Sequence, residues 1–81
     1  MRVAVQYFSQ LKEIAGCADE TVALPEGATI YQLLARIYEL HPDLEKWDRN
    51  LLAGVGVEFV EWDYVIQPND EIAIMPPVQG G

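Results

Sequence analysis

The chain has 81 residues, of which 51% are apolar and 22% charged, and its formal net charge is −8. This length predicts a single domain with a thin core and little interior for a deep pocket. The negative charge makes nucleic acids and anionic membranes poor partners and favours partners with basic surfaces. No apolar run approaches the length of a membrane span, and Gln6 interrupts the N-terminal segment too early for a signal peptide, so we expect a cytoplasmic protein.

The sequence holds one cysteine, Cys17, and one histidine, His41. A single thiol cannot form an internal disulfide. Cys17 is a lone thiol that follows Gly16, and we expect it to have no partner histidine, which makes it a poor candidate for a nucleophile. His41 precedes a proline at a helix end and is expected to be structural or simply exposed. A metal site would need ligands that the chain lacks, so we predict no metal and no cofactor bound by this chain.

The first predicted element is a strand over residues 2–8. Side chains alternate there in the manner of a strand with one buried face. Phe8 points away from the side chains that face the core, which are Val3, Val5 and Tyr7. Ser9 can cap a short helix over residues 10–15, and a second strand is expected over residues 19–24.

The clearest predicted element is a long helix that begins after Thr29. Thr29 and Gln32 fit a capping box, in which each residue satisfies a backbone donor of the first turn. Apolar side chains then recur at helical spacing on one face: Ile30, Leu33, Leu34, Ile37 and Leu40. Pro42 disfavours helical geometry at His41 and so ends the helix. Residues 43–50 are polar, and we expect one short helical turn there.

The rest of the chain predicts further short strands, over residues 51–57, 59–66 and 71–75. One long helix across one face of a mixed four- to five-stranded sheet, with a short helix after the first strand, would bury the apolar faces. This arrangement is an α+β fold of the β-grasp, or ubiquitin-like, type. We predict a β-grasp domain over residues 1–76 and a flexible Gly-Gly tail over residues 77–81.

The tail is the part of the sequence that suggests chemistry. Pro76 and Pro77 fix φ and remove backbone donors, so the tail leaves the sheet stiffly. Gly80 and Gly81 have no Cβ, so a Gly-Gly tip can enter a narrow channel and bring its carboxylate to another protein's active site. ATP can activate a carboxylate by adenylation, and sulfide delivery then gives a thiocarboxylate that can donate sulfur. The alternative is a frayed terminus without function.

The end of the chain combines an acidic turn, an apolar strand and a Pro-Pro-Val-x-Gly-Gly ending: Asp70-Glu71-Ile72-Ala73-Ile74-Met75-Pro76-Pro77-Val78-Gln79-Gly80-Gly81. Two further segments share the pattern of the same family, namely Tyr7-Phe8 with Leu11-Lys12-Glu13 and Gly16, and Leu24-Pro25-Glu26-Gly27-Ala28-Thr29. Over its whole length the chain resembles the MoaD branch of the MoaD/ThiS sulfur carriers, the small subunits of molybdopterin synthases. The Pro-Pro-Val-x-Gly-Gly ending is specific to this branch.

The resemblance implies a sulfur carrier of molybdenum cofactor (molybdopterin) biosynthesis. A ubiquitin-activating-type adenylating enzyme (MoeB-like) would use ATP to activate Gly81, and a sulfurtransferase system would convert it to a thiocarboxylate. The carrier would then donate sulfur to cyclic pyranopterin monophosphate within the large subunit of the synthase (MoaE-like). In this family the synthase is a heterotetramer. The carrier would be its non-catalytic, sulfur-donating subunit, with the catalytic groups on the large subunit.

A docking face is also expected. Alternation in the first and last strands places Phe8 and Met75 on the sheet face that the long helix does not cover, and the resemblance adds Phe59. Clustered exposed apolar side chains usually mark an interface. We expect this face to bind the partners together with Pro76 and three tail residues, Pro77, Val78 and Gln79. The alternative is that residues 43–50 or an adjoining loop cover the face.

Three other functions stay open from the sequence alone. The chain could carry sulfur for another pathway, such as thiamine, cysteine or tRNA thiolation. It could be a ubiquitin-like modifier attached through Gly81 to lysines of other proteins, although Lys12 and Lys46, the only two lysines, disfavour self-linked chains. It could also be a β-grasp interaction module with an unused tail.

Overall fold

The computed structural model describes residues 1–77, except the side chain of Arg49. Its elements follow the predicted order along the chain. They are β1 (Arg2–Tyr7), α1 (Gln10–Ala15), β2 (Asp19–Ala23), α2 (Ile30–Leu40), a 3₁₀ helix (Pro42–Asn50), β3 (Leu52–Val55), β4 (Glu58–Val60) and β5 (Glu71–Met75). Within residues 1–77, no helix is both long and apolar enough to cross a membrane.

The five strands form one mixed sheet in the order β2-β1-β5-β3-β4. The first and last strands, β1 and β5, pair in parallel at its centre, and the other neighbours pair antiparallel. Because side chains alternate along each strand, one face of this sheet is buried and the other is left open. The α+β, β-grasp architecture predicted from the sequence is confirmed.

The core lies between α2 and the buried face of the sheet. The predicted inward side chains of β1 and β5 are all buried, and so is most of the apolar stripe of α2: Val3, Val5, Tyr7, Ile72, Ile74, Ile30, Leu33, Leu34 and Ile37. Leu40 was expected on the same stripe, but 42% of it is exposed. The chain turns at His41, and Leu44 of the 3₁₀ helix is buried in the core instead.

The boundaries of α2 show which local signals were accurate. The capping box is complete, because Gln32 N donates to Thr29 Oγ1 and Thr29 N donates to Gln32 Oε1. The helix ends at Leu40 with His41 as its C-cap, as the following Pro42 predicts. The segment after it is longer than the single turn expected, since the 3₁₀ helix has nine residues.

Ser9 does not act as the predicted cap of α1. It stands at the N-cap position with φ 54° and ψ −133°, and its side chain makes no cap hydrogen bond. In the described part of the chain it is the one non-glycine residue with positive φ. Such a backbone conformation costs a residue with a Cβ about 1–3 kcal/mol. The turn between β1 and α1 is therefore strained.

We expect Ser9→Gly to raise the melting temperature. Relief of about 1–3 kcal/mol of strain exceeds the roughly 0.5–1 kcal/mol that glycine loses in chain entropy. A gain of 1 kcal/mol corresponds to about 4–8 °C for a domain of this size. Thermal unfolding followed by circular dichroism measures the shift. Ser9→Ala is the matched control, because alanine keeps the strain; equal melting temperatures for the two variants would show that the turn is not strained.

Candidate functional site

Several of the large exposed apolar side chains lie together at the open face of the sheet. Phe8 is 43% exposed and Phe59 67%, while Val57 in the turn between β3 and β4 is fully exposed. Met75, half-buried at the end of β5, lies in the same depression. We call the four residues Phe8, Val57, Phe59 and Met75 the outer patch.

The sheet register shapes the outer patch into a shallow depression. Gly54 of β3 pairs with Ala73 on one side and with Phe59 on the other, so two small residues form its floor. Phe8, Phe59 and Met75 stand around this floor and enclose a cavity of about 180 Å³. A Cβ added at Gly54 would lie 3.2 Å from Met75 Cε, so the glycine lets the methionine lie close against the sheet.

The structure therefore brings together the three apolar residues that the sequence and the resemblance assigned to the docking face. Residues 43–50 do not cover them, since both phenylalanines are exposed. Their role in binding stays a prediction. Val57 was missed because a single valine in a Gly-rich turn gives no strand or helix periodicity to place it.

The base of the tail lies beside the outer patch. Phe8 N donates a hydrogen bond to Ile74 O at 3.2 Å, so the end of β5 runs next to Phe8. Pro76 and Pro77 follow directly and are half-buried. They line a second cavity with Ser9, Gln10 and Trp47. The remaining predicted tail residues, Val78, Gln79, Gly80 and Gly81, lie outside the described residues.

A second cluster of polar groups lies where β1, β2 and the end of α2 meet. Tyr7 Oη donates to Glu20 Oε2 at 2.5 Å, and His41 Nε2 lies 2.6 Å from the same oxygen. The Tyr7 and His41 rings make an edge-to-face contact with centroids 5.9 Å apart. Burial, and then the hydrogen bond and charge of Glu20, raise the pKa of Tyr7 well above its usual value, which keeps this hydroxyl a donor.

Cys17 belongs to this cluster as well. Its sulfur lies within 4.8 Å of ligand atoms of both Glu20 and His41. The expectation that Cys17 has no histidine near it is therefore wrong, because α2 brings His41 back to the start of β2. Burial, and then the negative charges of Glu20 and Asp19, raise the pKa of the Cys17 thiol. The thiol stays protonated at neutral pH, so it remains a poor nucleophile.

Comparison with known proteins identifies the family. Residues 5–81 match the ThiS family. This chain belongs to the ThiS family. A human relative, the molybdopterin synthase sulfur carrier subunit, is 37% identical, and the alignment covers 99% of this chain and 94% of that protein. The family resemblance read from the Pro-Pro-Val-x-Gly-Gly ending is confirmed.

Two solved structures have the same fold as this ThiS-family chain. A Pyrococcus furiosus chain assigned as subunit 1 of a molybdopterin converting factor superposes with a TM-score of 0.86 at 28% identity, covering 96% of this chain and 99% of that one. A Helicobacter pylori complex of subunits 1 and 2 of molybdopterin-converting factor matches with a TM-score of 0.71 at 22% identity, with both chains covered completely. The second match supports the fold alone.

Proposed function

We propose that this ThiS-family chain is the sulfur carrier subunit of a molybdopterin synthase and that its working group is the carboxylate of Gly81. The observation that carries the proposal is the full-length match to a human carrier subunit, at 37% identity. The Pro-Pro-Val-x-Gly-Gly ending adds support, because the resemblance links that ending to this branch of the family.

The geometry around the base of the tail supports the same function. A partner that binds the outer patch also holds the end of β5, since Phe8 and Ile74 are joined by a backbone hydrogen bond. Four residues separate Pro77 from the end of Gly81, and an extended chain of that length spans at most about 14 Å. The reacting site of each partner therefore lies within about 14 Å of Pro77.

The proposed chemistry needs no catalytic side chain on the carrier. The Gly81 carboxylate attacks the α-phosphorus of ATP within an adenylating enzyme, and pyrophosphate leaves. Sulfide supplied by a sulfurtransferase system then displaces AMP and leaves a thiocarboxylate. In the large subunit the thiocarboxylate sulfur displaces an oxygen substituent from a carbon of cyclic pyranopterin monophosphate. Water then cleaves the acyl–sulfur bond, which leaves the sulfur on the product and restores the Gly81 carboxylate. A dithiolene contains two sulfur atoms, so two loaded carriers are consumed for each product.

The proposed partners are the large subunit, the adenylating enzyme and the sulfurtransferase system. Support for a large subunit comes from the human relative, whose name makes it one subunit of a synthase. The net charge of −8 favours basic partner surfaces, and Glu58 contributes an exposed carboxylate at the edge of the outer patch. Opposite charges steer association, so its rate should fall as salt is added.

Intact-mass spectrometry tests the proposed function directly. After incubation with an adenylating enzyme, ATP and a sulfide source, we expect the mass to increase by the replacement of one oxygen by sulfur. Fragmentation should place the change on Gly81, and a reaction without ATP is the control. The adenylating enzyme is first shown to be active on its own carrier. If the mass of this chain is then unchanged, the proposal is contradicted. Branched peptides joining Gly81 to lysine in cell extracts would instead show a protein modifier.

A further inference from the structure

The only cysteine and the only histidine of the chain meet at one carboxylate. Cys17 precedes β2, Glu20 lies within it, and His41 ends α2, so three separate segments supply the three groups. Their ligand atoms all lie within 4.8 Å of one another. The proposed sulfur-transfer function uses none of these side chains. The expectation that the chain lacks ligands for a metal site overlooked this cluster, because its three groups come together only in the fold.

We propose that Cys17, Glu20 and His41 form a binding site for Zn²⁺, with water in the fourth coordination position. Thiolate sulfur, imidazole nitrogen and carboxylate oxygen are the three donor types that zinc takes in proteins. A thiolate and a carboxylate together balance the two charges of the ion. Binding releases the thiol proton to solvent and requires His41 to carry its proton on Nδ1.

The distances fit a tetrahedral ion after small side-chain movements. Zinc–sulfur bonds of about 2.3 Å and zinc–nitrogen or –oxygen bonds of about 2.0 Å separate neighbouring ligand atoms by roughly 3.3–3.5 Å. The 2.6 Å contact between His41 Nε2 and Glu20 Oε2 must therefore open, and the sulfur of Cys17 must move inward. The first adjustment is about 0.7 Å and the second is at most about 1.3 Å.

The backbone of each ligand is held in place. Glu20 pairs with Val5 across the β1–β2 ladder. His41 N donates to Ile37 O at 2.7 Å, and His41 O accepts a hydrogen bond from Leu44 N at 3.0 Å. This preorganisation lowers the cost of bringing three ligands to one ion.

The segment that contains Cys17 is fixed in the same way. Gly16, with φ 80°, donates its N–H to Lys12 O at 3.0 Å on one side of the cysteine. On the other side, Tyr7 N donates to Ala18 O at 2.9 Å. The sulfur therefore leaves a backbone that is hydrogen-bonded both before and after it.

The surroundings of the cluster suit a ligand site that solvent can reach. The side chains of His41 and Glu20 are 18% and 22% exposed, which leaves a path for the ion and room for a water. Tyr7, itself buried, donates to Glu20 and orients the carboxylate. Outer hydrogen bonds of this kind are a regular feature of protein metal sites.

Co²⁺ is the first probe, because a thiolate bound to it gives a charge-transfer absorption band. Since Cys17 is the only cysteine, any such band reports this sulfur alone. We expect the band to saturate at one Co²⁺ per chain in the intact protein, and to disappear when one equivalent of Zn²⁺ is added. Zn²⁺ should also raise the melting temperature, because it binds the folded state.

Variants then separate this site from surface binding. Cys17→Ser should abolish the band, while Glu20→Gln and His41→Asn should each weaken Zn²⁺ affinity at least about tenfold, the size of effect seen even for outer-shell partners. Glu26→Gln, in the exposed turn before α2, is the matched control and should change nothing.

Two results would overturn the proposal. The first is the absence of a thiolate band in the unmodified protein at stoichiometric Co²⁺. The second is a band that saturates at two chains per metal and survives His41→Asn, which would show that Cys17 alone bridges two molecules. The first result is measured on the unmodified protein, and in the second the fold of the His41→Asn variant is checked by circular dichroism. A misfolded variant therefore cannot be mistaken for either result.

Discussion

Deletion of Gly81, or addition of one residue after it, is expected to abolish sulfur transfer and leave the melting temperature unchanged. The reacting carboxylate would be moved by one residue, about 3.5 Å, from the position where each partner's active site must reach it. Misplacement by about 1 Å can already cost a factor of 100 in rate. Within residues 1–77 the last core residue is Ile74, so the change lies beyond the packed domain.

A synthase reconstituted with the large subunit and a loaded carrier measures the transfer, and circular dichroism measures the melting temperature. Full activity after either change would contradict the proposed role of Gly81. Gly80→Ala gives a finer comparison, because it adds one methyl group where the tail must enter a channel. It should lower the rate of adenylation or transfer and leave stability unchanged.

Gly27→Ala is the matched control for Gly80→Ala. Gly27 lies in the turn before α2 with φ 83°, a conformation that residues with a Cβ rarely adopt. The same chemical change should therefore cost about 1–2 kcal/mol of stability there and leave sulfur transfer intact at low temperature. If Gly80→Ala lowers stability and activity together, the added methyl group does not act by hindering the entry of the tail into a narrow channel.

Local sequence patterns were sufficient to predict those elements whose burial and boundaries depend on neighbouring residues alone. Alternation in β1 identified the buried faces of Val3, Val5 and Tyr7, and the capping box fixed the start of α2. Leu40 was misplaced because its burial depends on the path of the chain after His41, which helical periodicity does not contain.

The two clusters on the surface differ in how far the sequence could predict them. The outer patch was foreseen in part, since alternation placed Phe8 and Met75, but its floor depends on the register that sets Gly54 beside Ala73. The meeting of Cys17 with His41 was not foreseen. It requires β2 and the end of α2 to be packed together, and no spacing along the chain encodes that contact.

Phe59→Ala and Phe8→Ala are expected to weaken binding to both the large subunit and the adenylating enzyme. Each removes an exposed aromatic side chain that stands over the floor formed by Gly54 and Ala73. Truncation of an interface anchor costs about 1–4 kcal/mol, which is roughly a 5- to 1,000-fold loss of affinity. Both partners should respond, because each must take the same tail and the tail leaves the sheet beside Phe8.

Titration calorimetry of each variant against each partner measures the loss. Leu40→Ala is the matched control, since Leu40 is as exposed as Phe8 (42% against 43%) but lies at the end of α2. If affinity depends on the outer patch, Leu40→Ala binds both partners normally while the phenylalanine variants do not. Equal affinities for all three variants, with the fold intact, would mean that the partners hold the domain elsewhere. A loss confined to one partner would mean that the two enzymes reach the tail from different sides of the sheet.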